Sequence, residues 1–458
     1  MGRKYFGTDG VRGRVGQVPI TPEFIMRLGH AAGATLVARE GLRAGDRPAV
    51  LIGKDTRISG YMLEASLEAG FAAAGVDVML CGPMPTPAVA YLTRALRLQA
   101  GVVISASHNP YDDNGIKIFG PDGFKLADER EAEIERLLDD AALDQRPCTG
   151  ERVGRAERID DATGRYIVYA KNAFPKELTL NGLKVVVDAA HGAAYRVAPL
   201  VFSELGAEVT AIGVTPNGKN INKACGALHP AAMVREVLKR QAHIGIALDG
   251  DADRVIVADE RGQIVDGDAV MALCATRMLK AGKLNGGTVV ATVMSNMGLD
   301  RALAPLGGRV ERTAVGDRYV VECMRKNGYA FGGEQSGHLV FLEHATTGDG
   351  VVGALQVLAV MVAEERPLSE LAHVMEKVPQ LLENVVLPMR RPIDEMPELT
   401  REIRRARAEL GRDGRVLVRW SGTEPKLRLM VEGPDMSRLE AVVRTMADAA
   451  RSDMGVAR

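Results

Sequence analysis

Residues 100–110 read Ala-Gly-Val-Val-Ile-Ser-Ala-Ser-His-Asn-Pro: an apolar run, Ala100 to Ile104, gives way at once to Ser105-Ala106-Ser107-His108-Asn109-Pro110. A continuous apolar run of this length, bounded by turn residues, reads as a strand buried on both faces. It places a serine at a strand's carboxyl end, where open α/β sheets collect their ligands. Taken alone, Ser107 reads as a helix cap or turn residue. Its company argues for more. Gly115-Ile116-Lys117 follows closely, and a second apolar run, Ile244 to Leu248, ends in Asp249-Gly250-Asp251-Ala252-Asp253-Arg254.

Working outward, strand-like runs alternate with helical ones. Ala49 to Ile52, a helix from about Ser59 carrying Leu63, Leu67 and Phe71, Val76 to Leu80 and the Ala100 run form a βαβαβ pattern. Leu183 to Asp188, Glu208 to Ile212, a helix near Ala231 to Lys239 and Ile244 to Leu248 repeat it. Thr288 to Met294, Gly298 to Leu306, Arg309 to Val315 and Asp317 to Lys326 begin a third unit. The tail differs: a helix near Glu398 to Leu410, strands Val416 to Trp420 and Leu427 to Val431 across a tight turn, then a helix from Asp435. The expected organisation is α/β, with three related mixed-sheet domains and a smaller C-terminal α+β domain around a central cleft. Its divisions are expected at 1–155, 156–255, 256–370 and 371–458, where charged or Pro-containing stretches interrupt the pattern.

The 458-residue length suits several cores. With 58 Lys and Arg against 59 Asp and Glu, the net charge of −1 excludes a broad basic surface for nucleic acid or anionic membrane. Five scattered cysteines without a Cys-x-x-Cys pair read as reduced thiols of a cytoplasmic protein and argue against zinc. The N-terminus lacks the apolar core of a signal peptide, and Gly350 to Ala363, the longest apolar stretch, is shorter than the ~18 residues a membrane span needs. It reads as a core helix.

The Asp249, Asp251 and Asp253 spacing opens like a calcium loop, but Arg254 stands where that loop needs glycine, and Val255-Ile256-Val257 continues as a strand. Three carboxylates this close repel one another unless a cation neutralises them. Hard oxygen ligands select Mg²⁺ over zinc, and a phosphoryl oxygen on Ser107 completes such a sphere. Gly213 to Asn220 mimics a P-loop but lacks the Mg²⁺-binding hydroxyl, so nucleotide binding is rejected there.

Gly332-Gly333-Glu334-Gln335-Ser336-Gly337-His338 offers Glu334, Ser336 and His338 to sugar hydroxyls, or is a plain surface turn. Arg419-Trp420-Ser421-Gly422-Thr423-Glu424-Pro425-Lys426-Leu427-Arg428 brackets a Gly-centred turn with two guanidinium groups. That is the make-up of a phosphate site, against the plain alternative of a charged hairpin. Phe6-Gly7-Thr8-Asp9-Gly10-Val11-Arg12-Gly13 reads as a glycine-rich first loop in which Arg12 suits a phosphate.

In this order, and over nearly the whole chain, these segments resemble the α-D-phosphohexomutase family. The resemblance implies a phosphoserine at Ser107 and Mg²⁺ held by that phosphoryl group with Asp249, Asp251 and Asp253. It implies a sugar loop of Glu334, Ser336 and His338, and a substrate-phosphate loop of Arg419, Ser421, Gly422, Thr423 and Arg428, with Arg254 counted among the substrate contacts. Lys117, His338 and Arg12 are the candidates for proton movement and charge support. Asp317, in Val315-Gly316-Asp317-Arg318-Tyr319, stands where hexose-specific relatives usually carry histidine, and this points to the amino-sugar branch. A carboxylate there favours an ammonium group; the plain alternative makes Asp317 a helix N-cap.

The implied reaction is the reversible conversion of glucosamine 6-phosphate to glucosamine 1-phosphate, supplying UDP-N-acetylglucosamine. A hexosamine or hexose 1,6-bisphosphate serves as intermediate and activator. Small sugar phosphates are the implied partners, with no nucleic acid or membrane, and a homodimer is compatible with the family. Three alternatives stay open: the phosphomannomutase/phosphoglucomutase activity of the hexose branch, a phosphohydrolase that discharges phosphoserine to water, and a noncatalytic sugar-phosphate sensor.

Overall fold

The computed structural model describes residues 4–37, 47–145, 148–421 and 425–456. Its first sheet has seven strands in the order Phe6–Gly7, Gly10–Arg14, Asp113–Phe119, Ala100–Ile104, Ala49–Lys54, Asp77–Pro83 and Ala156–Arg158. The apolar Ala49 and Ala100 runs pair in parallel at its centre, as buried strands must when helices cover both faces. Asp113–Phe119 runs antiparallel to Ala100–Ile104 and brings Lys117 beside Val103. The sheet is therefore mixed. The Phe6 to Gly13 segment, expected as a loop, is instead a short hairpin joined to that edge, with Arg12 opposite Gly115.

The second sheet orders Ile264–Val265, Val255–Asp259, Ile244–Leu248, Lys184–Asp188 and Glu208–Ile212. Val255–Asp259 folds back antiparallel on Ile244–Leu248, so the Asp249 to Arg254 segment is the tight turn of a buried hairpin. This sheet continues through Val265, past the division expected at 255, and Ala156–Arg158 belongs to the first sheet although it lies beyond 155. Neither short edge strand carries enough apolar alternation to be read from sequence. The third sheet orders Arg309–Thr313, Thr288–Thr292, Phe331–Gly333 and Leu339–Phe341. The fourth is antiparallel, Gln380–Val386, Lys426–Glu432 and Arg415–Trp420, backed by helices Pro397–Leu410 and Met436–Asp453.

One apolar cluster runs through three of these units. Leu51, Val89 and Val103 of the first, Val187 and Ile246 of the second, and Val289, Phe331 and Leu358 of the third belong to it. The Gly350–Glu364 helix, buried along most of its length as its composition implies, lies within that cluster. The fourth unit closes a core of its own around Leu399, Leu427, Leu429 and Leu439. Three strand ends converge where the first three sheets meet: those of Ala100–Ile104, Ile244–Leu248 and Phe331–Gly333.

Candidate active site

Ser107 follows its strand with φ +52°, a left-handed conformation that a non-glycine residue adopts only when its surroundings hold it there. The holding is visible. The Ser107 amide donates to Ser105 Oγ at 2.9 Å, and Ser105 donates in turn to Asp55 Oδ2 at 2.6 Å. The Ser107 carbonyl accepts from Arg57 at 3.0 Å and from Asn222 at 2.9 Å. Arg57 is fully buried, pairs with Asp55 and also donates to the Asn109 carbonyl at 2.8 Å. Ser105 thus shapes the loop while Ser107 aims its side chain across the domain boundary, donating to Asp249 Oδ2 at 2.6 Å. Gly250 permits that approach: a Cβ there would lie 2.5 Å from the Ser107 carbonyl oxygen.

Asp249, Asp251 and Asp253 are buried and offer carboxylate oxygens that all lie within 4.8 Å of one another. Burial, reinforced by Asp253 and Asp251, pushes Asp249 well above the ordinary carboxylate range. Burial would do the same to Asp253, but Lys117, then His338 and Arg254, hold it well below. Asp251 Oδ2 accepts from Thr86 Oγ1 at 2.6 Å and from Lys117 Nζ at 2.8 Å, while the buried Asp251 Oδ1 and Asp253 Oδ1 accept no hydrogen bond. Converging hard oxygens with lone pairs to spare fit a Mg²⁺ ion. The ordered hairpin turn, with Arg254 N–H bonded to Asp249 Oδ1 at 3.2 Å, is no calcium loop.

Lys117 is buried, 2.8 Å from Asp251, 3.1 Å from Asp253 and 3.3 Å from Asp9. Burial works against its charge, yet these three carboxylates hold its proton well above the usual lysine range. Asp9 also binds Arg12 and Lys125, and Lys125 binds Asp317 in turn. Burial opposes ionisation of Asp9 and Asp317 too; Lys117, Lys125 and Arg12 keep the first far below its normal value, and Lys125 chiefly lowers the second.

The Glu334 to His338 loop lies against this web, with the Val255 amide donating to the Gly337 carbonyl at 3.0 Å. Gly337 (φ +87°) is required there, because a Cβ would sit 2.0 Å from the Val255 carbonyl oxygen. Glu334 is half-buried and Ser336 exposed, with Ser336 Oγ donating to Glu334 Oε2 at 3.3 Å. His338 differs. Its ring is buried, Nε2 accepts from the Gly348 amide at 3.1 Å, and Nδ1 lies 3.8 Å from Asp253 Oδ2. The ring thus stands between Asp253 and Asp317, whose Oδ2 is 3.5 Å from Nε2. Burial lowers its proton affinity, but Asp253 and Asp317 more than restore it.

Asp317 is not a helix cap. Gly316 occupies that position (φ +132°), and Asp317 is the first residue of the Asp317–Asn327 helix. Its carboxylate is matched by Lys125, with His338 Nε2 3.5 Å away.

In the fourth unit, Arg419 and Arg428 are cross-strand partners. Like charges directly opposite destabilise a hairpin, and the buried Nε of each has no protein acceptor. Burial and then Arg428 depress the proton affinity of Arg419. Two guanidinium groups so placed call for an anion. Ser421 is buried at the end of its strand, while Gly422 and Thr423 lie outside the described residues. Arg12 and Arg254 carry the same mark, a buried Nε without an acceptor.

Several contributors had no signal in the sequence. Asp55, Arg57 and Asn222 support the serine loop, Thr86 supports Asp251, and Asp9 and Lys125 organise the cations. Asp9 alone lies in a segment that stands out by its composition, the glycine-rich Phe6 to Gly13. The others act across sequence separations that no local spacing reveals.

A serine hydroxyl set on a buried carboxylate triad, with separate guanidinium clusters for anions, defines a metal-assisted phosphotransferase built on α/β domains. The chain belongs to the phosphoglucomutase/phosphomannomutase, or α-D-phosphohexomutase, family: alpha/beta/alpha domains I, II and III match residues 3–144, 164–262 and 266–378, and the C-terminal domain matches 382–449. It is 62% identical over 454 residues to a phosphoglucosamine mutase of Sorangium cellulosum, covering 99% of this chain and 94% of that one. A phosphoglucosamine mutase of Syntrophotalea carbinolica is 55% identical, covering 100% and 99%. Among solved structures, a phosphoglucomutase/phosphomannomutase family protein from Burkholderia thailandensis superposes with a TM-score of 0.82 at 25% identity over 98% of each chain. The fold is shared with an Aspergillus fumigatus N-acetylphosphoglucosamine mutase in complex with GlcNAc-6P and magnesium (TM-score 0.67, 17% identity, 98% and 96% covered).

Proposed function

We propose that this chain is a phosphoglucosamine mutase that interconverts glucosamine 6-phosphate and glucosamine 1-phosphate. The phosphoserine would be at Ser107 and the intermediate a hexosamine 1,6-bisphosphate. The observation that carries this reading is the separation of two anion-handling features: Ser107 on its carboxylate triad, and Arg419 facing Arg428 in another domain. A hydrolase needs only the first. A mutase must hold one phosphate while transferring the other. The shared name of the relatives at 55–62% identity supports the amino-sugar substrate.

In the forward half, the bond between phosphorus and Ser107 Oγ breaks while one forms to the free sugar hydroxyl, and the proton this hydroxyl gives up is balanced by the one that Ser107 Oγ takes on. The bisphosphate then turns in the cleft and returns its other phosphoryl group to Ser107. Asp249, Asp251 and Asp253 would hold Mg²⁺, which when bound offsets charge on the transferring group. Lys117, paired with Asp251, and Arg12, paired with Asp9, add cationic support, and Arg254 joins them beside Asp253. His338 acts in this reading as a brace for Asp253 and Asp317, while Glu334 and Ser336 meet the sugar. Arg419, Ser421 and Arg428 take the nonreacting phosphate with the turn that contains Gly422 and Thr423.

We assign one of these tasks to each of the four domains, and place the protein in the cytoplasm as a precursor supplier for UDP-N-acetylglucosamine. Its five cysteines, all free thiols, suit that compartment, and no helix among the described residues is long and apolar enough to cross a membrane. A homodimer, open from the family, is decided by light scattering. Incubation with glucosamine 6-phosphate followed by ³¹P NMR tests the function: isomer supports it, whereas free phosphate or no turnover rejects it.

A further inference from the structure

Asp317 lies against the Glu334 to His338 loop, with the Gly316 amide donating to Glu334 Oε1 at 3.2 Å and His338 Nε2 3.5 Å from the Asp317 carboxylate, yet in the folded protein that carboxylate is already matched. Lys125 Nζ binds Asp317 from one side and Asp9 from the other, with its side chain only 12% exposed. The two carboxylates come from different domains, Asp9 from the first hairpin and Asp317 from a helix start in the third. The domain contact does not depend on this lysine: Arg318 pairs with Asp128 and Glu131, Arg325 reaches Asp122 at 3.3 Å, and Thr346 Oγ1 donates to the Gly123 carbonyl at 2.6 Å.

We propose that Lys125 is a specificity-determining residue, a resident ammonium that occupies Asp317 until the ammonium of the substrate takes its place. Lys125 has a second carboxylate, so it can yield Asp317 while staying paired with Asp9, and no charge is left bare in the exchange. A neutral hydroxyl at the same sugar position cannot displace it on equal terms, because Asp317 would trade a charge-assisted bond for a weaker one. The strength of amino-sugar preference is then set by competition between two ammonium groups for one carboxylate. This inference rests on the amino-sugar reading above.

The test compares kcat/KM for glucosamine 1-phosphate and glucose 1-phosphate in wild type, Lys125→Met, Asp317→Asn and the double variant. Removing the internal competitor should raise the preference ratio about tenfold in Lys125→Met, the scale of one charge-assisted bond. Asp317→Asn should bring the ratio close to one, and Lys125→Met should change it no further in that background. A purely structural Lys125 would lower both activities equally and leave the ratio unchanged, which overturns the proposal, as does a falling ratio in Lys125→Met. Circular dichroism of each variant, with Lys125→Arg as the charge-keeping control, separates misfolding from altered choice. A wild-type ratio of one removes the amino-sugar reading itself and is seen before any variant is made.

Discussion

Ser105 and Ser107, two residues apart, use their hydroxyls in opposite directions: Ser105 turns inward between Asp55 and the Ser107 amide, and Ser107 turns outward to Asp249 in the next domain. Ser107→Ala should therefore abolish phosphoryl transfer while the protein stays folded. Ser105→Ala should leave Ser107 open to phosphorylation but cost about 1–3 kcal/mol of stability, since a buried carboxylate and an amide lose a partner. Peptide mass spectrometry with urea unfolding distinguishes the two. Phosphate on Ser105 in active enzyme would sink the assignment.

Asp249→Asn, Asp251→Asn and Asp253→Asn should each weaken Mg²⁺ activation, because a neutral amide oxygen replaces a charged ligand. Asp251→Asn should be the least well folded, since Asp251 also receives Thr86 and Lys117. The check is a magnesium titration of activity beside a melting curve for each variant. An unchanged metal requirement in all three removes the triad from the metal site.

Arg419→Ala and Arg428→Ala should raise KM roughly ten- to a hundredfold, the worth of one or two charge-assisted bonds, and leave phosphoserine in place. Both are half-buried, and neither loss should destabilise the hairpin strongly, because each relieves repulsion from its cross-strand partner. A large fall in stability with unaltered KM would make the pair structural.

The stability of the third domain should fall as pH rises from about 4 to 6. Asp268 is buried, and burial raises its carboxyl from 3.8 to about 6, against the bond it accepts from the Asn296 amide at 2.9 Å. A raised folded-state value favours the protonated form, so its contribution is complete below the unfolded value and lost above the folded one. The change amounts to about 3 kcal/mol at most. Asp268→Asn should remove that part of the slope, as measured by urea unfolding at pH 4, 5, 6 and 7.

Much of this arrangement is legible in the residues, and its limits have physical causes. Ser107 and the Asp249 to Asp253 run announce themselves because each sits directly after an apolar strand. The Gly350–Glu364 helix shows because burial on all sides leaves it apolar throughout. The Gln380–Val386 strand does not, since an edge strand with one wet face carries Gln380, Glu383 and Asn384 among its apolar residues. Asp9 and Lys125 escape for another reason: ion pairs that join residue 9 to 125 and 125 to 317 impose no periodicity on either segment. The burial of His338 is likewise hidden, because nothing in the polar Gly332 to His338 loop announces that the Gly348 amide lies on its ring.

Trp420, the single tryptophan, lies in the fourth domain, where its Nε1 donates to the Arg391 carbonyl at 2.7 Å. Because that domain has a separate core, its unfolding followed by Trp420 fluorescence should not coincide with loss of helix in the rest. On the proposed mechanism, a domain with its own core should also close as a body over bound bisphosphate. Small-angle scattering should show compaction at saturation, and no change would count against closure.

The apolar cluster common to the first three domains has a consequence for how the chain is made. Leu51, Val187 and Ile246 share one cluster with Leu358 and Met375, which leave the ribosome much later. The amino-terminal half therefore emerges with one flank bare, and it gains its cover only when the segment through Met375 has been synthesised. Chaperone demand during translation falls on that interval, and truncations that stop before it should be recovered in aggregates, whereas the fourth domain can be the last to fold without placing the others at risk.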